Sequence, residues 1–289
     1  MSKSGKTNSL WQGIWLCMSL MFKNHPSEDS FSDGSRNVAL AFFPVRGIVI
    51  GLVAVIPFVI IGHVSRVDVF YLQLLVPFIY WGVIEKLTSH RRLYDFCKCS
   101  EAAADPDHAE RIMHTSGHVP MTAAGAAGLI TLAGGKLIVL YLLVTKNVIS
   151  SENPNDFQFI IMLCSIPVLA EFGCAILASG DDKFDAEAEV NSKPFWPLMV
   201  AFLFTLPAGL ALWLLASPNS LIMPLSLVLV MVFYWKRKAD TVLGGTSAPV
   251  RHACYETCEL AAAIGMLIVF QMPLRQAVQN IRELLPFTL

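Results

Sequence analysis

Residues 196–216 read WPLMVAFLFTLPAGLALWLLA and contain no charged side chain. The apolar core of a bilayer is crossed by roughly 20 residues of helix, so this stretch has the length and character of a transmembrane helix. Further apolar stretches occupy residues 39–62, 67–84, 121–144, 158–179, 220–235 and a segment that ends near 272. The sequence therefore predicts an all-α fold, a polytopic membrane bundle of about seven transmembrane helices.

The composition agrees with a membrane protein and argues against other classes. Hydrophobic residues make up 55% and charged residues 15% of the 289-residue chain, whereas about 25% of residues are charged in a typical soluble domain. A net charge of −1 provides no basic field that would attract polyanions, so we expect no nucleic-acid partner. The seven cysteines are an odd number and do not indicate a disulfide framework.

The chain is predicted to form a single membrane domain over residues 1–289. Its N-terminal segment, 1–38, contains an apolar stretch at 10–22 that is too short to span and is rich in aromatic residues. Such a stretch favours a helix that lies in the membrane interface. The transmembrane bundle follows over 39–272, and the tail, 273–289, is amphipathic and is expected on the membrane surface.

Lysine and arginine residues are distributed unevenly between the predicted loops. Seven spans with a cytoplasmic N-terminus would place 15 of the 21 basic residues in cytoplasmic segments and 4 on the opposite side. Cytoplasmic loops of membrane proteins carry an excess of Lys and Arg. The distribution predicts an integral protein of the plasma (inner) membrane whose N-terminus and polar loops face the cytoplasm.

Three charged residues fall within the predicted spans: Arg46, Lys136 and Glu171. A charge at the centre of a membrane helix costs at least about 2.5 kcal/mol by insertion scales, so it usually faces a cavity or a partner. Arg46 is near the start of its span, and we expect it to snorkel to the inner interface. For Lys136 and Glu171 two interpretations stay open, a structural ion pair or the lining of an aqueous substrate cavity.

Two carboxylates precede the last apolar stretch. Glu256 and Glu259 are three positions apart and would share one face of a helix. Such a pair suits a hard cation such as Mg²⁺, although acidic residues near a helix N-terminus are also common for structural reasons. The stretch crosses a bilayer only if its helix begins near Ala253 and includes both glutamates. A polar turn containing Gly244 and Gly245 comes before it.

The order of these features resembles the cobalamin synthase family, also called adenosylcobinamide-GDP ribazoletransferases. The resemblance covers most of the chain. The matching residues are Phe43, Pro44, Gly47 and Gly51 in the first span, residues 93–98 (LYDFCK), Ile112 and Met113, Lys136, Leu243-Gly244-Gly245, and residues 256–260 (ETCEL).

The resemblance implies a function and a set of site residues. Members of the family join adenosylcobinamide-GDP to α-ribazole or its 5′-phosphate, which gives adenosylcobalamin or its phosphate and releases GMP. The resemblance implies Asp95 and Lys136 as catalytic residues and the Gly244-Gly245 turn as part of the substrate site. It also implies Mg²⁺ as cofactor, with Asp95, Glu256 and Glu259 as its ligands.

Two cations, Arg91 and Lys98, stand where the family has aspartates, and Pro249 replaces a third aspartate. At −4 and +3 from Asp95, both cations would share its face of a helix. They would attract phosphate oxygens and repel a divalent metal. We therefore expect Arg91 and Lys98 to bind substrate phosphates, and metal-dependent transfer to be weak.

The expected partners are membrane lipid and the corrinoid and nucleotide substrates, with a homo-oligomer or other enzymes of the corrinoid pathway as further candidates. Two alternatives to an active transferase stay open. A catalytically lapsed protein of the same fold, acting as a scaffold or binding partner, is favoured by the depleted aspartate motif. A small membrane transporter is favoured by the charges within the spans.

Overall fold

The computed structural model describes residues 4–19, 32–64, 69–88, 91–101, 109, 112, 122–149, 156–179, 195–215, 219–243 and 245–271. Their helices are α1 (Ser4–Ser19), α2 (Asp33–Ala41), α3 (Phe43–Val64), α4 (Val69–Thr88), α5 (Arg91–Glu101), α6 (Ala123–Ile149), α7 (Asp156–Ala178), α8 (Trp196–Leu215), α9 (Asn219–Thr241) and α10 (Ala248–Gln271). No strand occurs within these ranges. The predicted all-α class is confirmed.

Five of the helices, α6 to α10, are long and apolar enough to cross a membrane. The count rises to six if α2 and α3 form one bent span. Helix α4 forms where the second span was predicted but is not among these candidates. The polytopic membrane fold is therefore confirmed, with five or six candidate spans in the described ranges where the sequence predicted about seven.

The first predicted span, 39–62, is broken rather than continuous. Helix α2 ends at Ala41, and α3 begins at Phe43 at an angle of 43° to it. Pro44 has no N–H to donate to the carbonyl four residues earlier, but it is well tolerated in the first turn of a new helix. The proline therefore favours an end of one helix and the start of another.

Helices α3 and α7 approach closely because two glycines lie at their contact. A Cβ atom added at Gly47 would lie 2.7 Å from the carbonyl oxygen of Pro167, and one at Gly51 would lie 2.6 Å from that of Cys164. Small residues four positions apart are a common way for membrane helices to bring their backbones together. Gly47 and Gly51 of the resemblance thus have a packing role.

A proline inside α7 frees one backbone carbonyl, and α4 supplies its partner. Pro167 has no N–H for the carbonyl of Leu163. The hydroxyl of Tyr80 donates to that oxygen at 2.6 Å and is itself buried. Since no water is present in a bilayer core to satisfy such a carbonyl, this bond ties α4 to α7.

Helices α7 and α10 form the centre of the bundle. Helix α7 packs against α3, α8, α9 and α10, and α10 packs against α5, α6, α7 and α9. By contrast, α8 and α9 expose large apolar side chains such as Leu214 and Phe233, as expected for faces in contact with lipid. The polar residues of the last span therefore lie in the interior.

Helix α1 covers most of the stretch predicted as interfacial, although it begins earlier, at Ser4, and ends at Ser19. It packs against α2 and leaves Trp11 and Trp15 exposed. Exposed tryptophans are typical of a helix at the headgroup level. The interfacial position itself stays a prediction, and the tail 273–289 lies outside the described residues.

Candidate functional site

Lys136 lies at the centre of a buried ionic cluster. Its ammonium nitrogen donates to Oε2 of Glu259 at 2.6 Å and to Oε2 of Glu256. Glu85 at the end of α4 lies farther away, with its Oε1 atom 3.9 Å from the same nitrogen. One ammonium from α6 is thus surrounded by three carboxylates from α4 and α10. Of the two interpretations of Lys136, a structural ion pair or the lining of an aqueous cavity, the structure shows ion pairs.

Helix α10 places its two glutamates on one face, as the spacing predicted. The helix begins at Ala248 and carries both residues into the candidate span, so the condition for a last span is met. Glu256 is fully buried, and Glu259 is 4% exposed. Buried carboxylates of this kind need a counter-charge, which Lys136 supplies.

A second polar contact lies one turn away on the same helix. Oδ2 of Asp95, on α5, lies 2.6 Å from Nδ1 of His252, on α10. Asp95 is buried, whereas the imidazole keeps 23% of its surface exposed. Because His252 precedes Glu256 by four residues, the two contacts are about 6 Å apart along the axis of α10. The motif residues Asp95, Lys136, Glu256 and Glu259 therefore meet along one face of α10.

The other predicted substrate residues are described in part. Lys98 is nearly buried, and its ammonium lies 4.8 Å from the centre of the Tyr94 ring. Arg91 starts the same helix, but its side chain, like the whole of Gly244, lies outside the described residues. Gly245 has a φ of 153°, which suits glycine, and its N–H donates to the carbonyl of Ala239 at 2.8 Å. In this structure that N–H caps α9.

Arg46 does not snorkel to the interface, and that expectation is wrong. Its side chain is buried, its Nε atom donates to Oε1 of Glu171 at 3.0 Å, and a second guanidinium nitrogen donates to Oε2. A bidentate pair with a carboxylate on α7 satisfies the charge inside the bundle more directly than a long reach to water. Glu171 is thereby a structural partner of α3, whereas Lys136 pairs with the glutamates of α10.

Two thiols on α5 lie beside the Asp95 contact. Burial raises the pKa of Cys97, and nearby Glu101 raises it further. Burial also raises the pKa of Cys99, with Asp95 adding to the effect. A raised pKa keeps a thiol protonated and unreactive near neutral pH. Neither cysteine has the character of a nucleophile.

The predicted Mg²⁺ ligands do not fit the ion as they are arranged. Mg²⁺ needs oxygen ligands at about 2.0–2.1 Å in near-octahedral geometry. The ammonium of Lys136 already holds one oxygen of each glutamate, and Asp95 is bound to His252. Within the described ranges, no three His, Cys, Asp or Glu side chains are grouped so that they could hold a metal ion.

Two members of the site, Glu85 and His252, were not among the residues predicted from sequence. Glu85 comes directly after the predicted second span, 67–84. Helix α4 continues beyond that span to Thr88, and Glu85 is buried within the bundle. His252 stands four residues before Glu256, so the spacing of both glutamates from it, at four and seven residues, was a signal for one helix face.

Most of the chain matches a known protein family. The family model for cobalamin-5-phosphate synthase matches residues 18–267, which is most of the chain and includes every motif residue of the site. No curated protein and no solved structure matches. On the strength of the family match, the chain belongs to the cobalamin-5-phosphate synthase family.

Proposed function

We propose that the protein is a membrane transferase of cobalamin synthesis. It joins adenosylcobinamide-GDP to α-ribazole or its 5′-phosphate and gives adenosylcobalamin or its phosphate with release of GMP. The family match over residues 18–267 is the observation that carries the proposal. The convergence of Asp95, Lys136, Glu256 and Glu259 on α10 supports it, because residues of separate sequence motifs then serve one site.

The reaction is a substitution at phosphorus. A hydroxyl oxygen of the ribazole bonds to the corrinoid-linked phosphorus, the bond from that phosphorus to the GMP oxygen breaks, and the hydroxyl proton passes to a base or to water. In such transfers the protein mainly positions the reactants and stabilises the charge on the phosphoryl oxygens. Arg91 and Lys98 on α5 are the residues we assign to the diphosphate, as a clamp of two cations.

The buried groups act through the helices that they join. Lys136 is 3% exposed and committed to two carboxylates, so it holds α6 against α10 instead of reaching a bulky substrate. Asp95 holds the imidazole of His252 and thereby fixes α5, with its cations, against the first turns of α10. We therefore assign Asp95 and Lys136 a positioning role in the transfer.

We assign the site to the cytoplasmic face of the plasma (inner) membrane. The excess of basic residues in the predicted cytoplasmic segments supports this orientation. Reporter fusions after Pro120 and after Leu289 should give opposite locations in a seven-span protein. If both fusions report the cytoplasm, six spans replace seven, and the site keeps its cytoplasmic location.

Complementation tests the proposal. The chain should restore corrinoid-dependent growth, from supplied cobinamide and ribazole, to a bacterial strain that lacks its own cobalamin synthase. Arg91→Ala with Lys98→Ala should weaken or abolish growth, whereas Arg237→Ala, which removes an exposed cation of α9, should not. Absence of growth with a membrane-inserted chain would favour the catalytically lapsed scaffold. Uptake of corrinoid without product formation would favour the transporter.

A further inference from the structure

Lys136 stands at the position between Glu256 and Glu259 that a bridging cation would take. Its nitrogen is bonded to one oxygen of each carboxylate, at 2.6 Å for Glu259. We infer that this ammonium is a built-in counter-ion that closes the glutamate pair to divalent metal, and that removal of its charge turns the pair into a metal site. The inference rests on the ion pairs and stands independently of the proposed transferase activity.

An ammonium and a divalent metal exclude each other at this glutamate pair. A divalent ion bound by both glutamates would need the oxygens that now accept from Lys136, and it would lie within a few ångströms of a like charge. The lysine side chain is only 3% exposed, and it comes from the middle of α6. Because the buried ammonium is held by both carboxylates, a metal would have to enter against its charge.

The glutamate pair would need a new counter-ion once the ammonium is gone. Glu256 and Glu259 are fixed on one face of α10, and Glu85 on α4 is the nearest further carboxylate, 3.9 Å from the present ammonium position. Oε1 of Glu256 is buried and accepts no hydrogen bond within the described part of the chain. Without the ammonium, the buried carboxylates of Glu256 and Glu259 would lose the charge that now bridges them, so binding of a divalent ion would relieve their mutual repulsion.

The bundle contains a matched control. Arg46 is also a buried cation, but within the described part of the chain it pairs with a single carboxylate, Glu171. Arg46→Met therefore removes a buried charge of the same sign without leaving a pair of carboxylates. Lys136→Met removes the charge at the pair and keeps an unbranched side chain. Lys136→Arg keeps the charge and should behave as the unchanged protein.

The experiment measures binding of Mn²⁺ alone to the full chain in detergent, from the loss of the electron paramagnetic resonance signal of free Mn²⁺. Lys136→Met should bind one Mn²⁺ per chain about 10–100-fold more tightly than the unchanged protein. Arg46→Met and Lys136→Arg should gain nothing, and adding Glu256→Gln to Lys136→Met should abolish the gain. The inference is overturned if the unchanged protein already binds Mn²⁺ as tightly at these glutamates, or if the folded Lys136→Met protein binds no more than Arg46→Met.

A second measurement applies if Lys136→Met is not recovered as a folded protein. Mn²⁺ present during solubilisation and purification should then raise the yield of monodisperse Lys136→Met protein, because the metal takes over the role of the ammonium. Arg46→Met serves again as the comparison and should show no such rescue. A Lys136→Met protein that Mn²⁺ fails to rescue would equally overturn the inference.

Discussion

Asp95 and His252 lie 157 positions apart in the chain, yet Oδ2 of the first is 2.6 Å from Nδ1 of the second. The contact joins α5, which is not among the candidate spans, to α10, which is. Since α10 also carries Glu256 and Glu259, this contact helps to position the α5 cations relative to the buried cluster. The Asp95–His252 contact is one of the links between the polar helix and the membrane bundle, beside the hydrogen bond from the N–H of Thr122 to Glu101.

The first prediction concerns that contact. Asp95→Ala and His252→Ala should each lower the free energy of unfolding in detergent by about 1.5–3 kcal/mol, the range for a hydrogen bond to a charged group. The double variant should lose clearly less than the sum, because either change already removes the contact. Asp240→Ala, at an exposed position of α9, is the control and should change little. Strictly additive losses would show that the two residues do not interact.

Loss of the Asp95–His252 contact should also lower the transferase rate. Asp95→Leu keeps the approximate size of the side chain and removes both acceptor oxygens, so α5 should remain helical but lose the contact with His252 that helps to position it. A misplacement of about 1 Å at a distance from the reacting atoms is enough for a loss of about a hundredfold. The rate of GMP release under saturating substrates measures the effect. An unchanged rate for folded Asp95→Leu protein would contradict the positioning role.

The close approach of α3 and α7 predicts different results at two glycines. Gly51→Ala would place a Cβ 2.6 Å from a backbone oxygen of α7, which is too close without a shift of the helix. We expect a loss of about 1–3 kcal/mol in the free energy of unfolding. Gly134→Ala is the matched control, because a Cβ at that position in α6 would have no neighbour within 4 Å. Gly134→Ala should be neutral or stabilising by up to about 1 kcal/mol, and equal losses at both positions would argue against the close packing.

The hydrogen bond from Tyr80 to the carbonyl of Leu163 should stabilise the fold because Pro167 leaves that carbonyl without a backbone donor. Tyr80→Phe should lower the free energy of unfolding by about 1–3 kcal/mol, since a buried acceptor is left without its donor. In a Pro167→Ala background, the restored N–H at position 167 bonds to the same carbonyl, and the loss should shrink markedly. Chemical unfolding of the four proteins measures this. A loss of the same size in both backgrounds would show that the contribution of Tyr80 to stability does not depend on Pro167.

The thiols of α5 should react slowly in the native protein. The pKa of both Cys97 and Cys99 is raised by burial, so near neutral pH the thiolate that reacts with iodoacetamide is scarcer than in the unfolded chain. Alkylation at both positions, followed by mass spectrometry, should be about tenfold or more slower than after unfolding. It should accelerate as the pH rises above the usual thiol pKa of about 8.5. Native labelling as fast as unfolded labelling would contradict the burial of this helix.

The sequence predicted those parts of the fold that depend on local pattern. Hydropathy indicated the membrane bundle, and the three-residue spacing of Glu256 and Glu259 placed both on one face of the last span. The partner of Arg46 could not be predicted in this way, because Glu171 lies 125 positions away and the pairing is set by the packing of α3 on α7. Hydropathy alone also ended the second helix too early. A glutamate looks unfavourable in a membrane segment until its neighbours are known, and Glu85 has Lys136 as a neighbour.

The most direct test of the central claim uses the purified protein in detergent with adenosylcobinamide-GDP and α-ribazole 5′-phosphate. Mass spectrometry should detect GMP and adenosylcobalamin phosphate in equal amounts, and neither should appear when α-ribazole 5′-phosphate is omitted. Release of GMP without the joined corrinoid, or no product from correctly folded protein with both substrates present, would contradict the account.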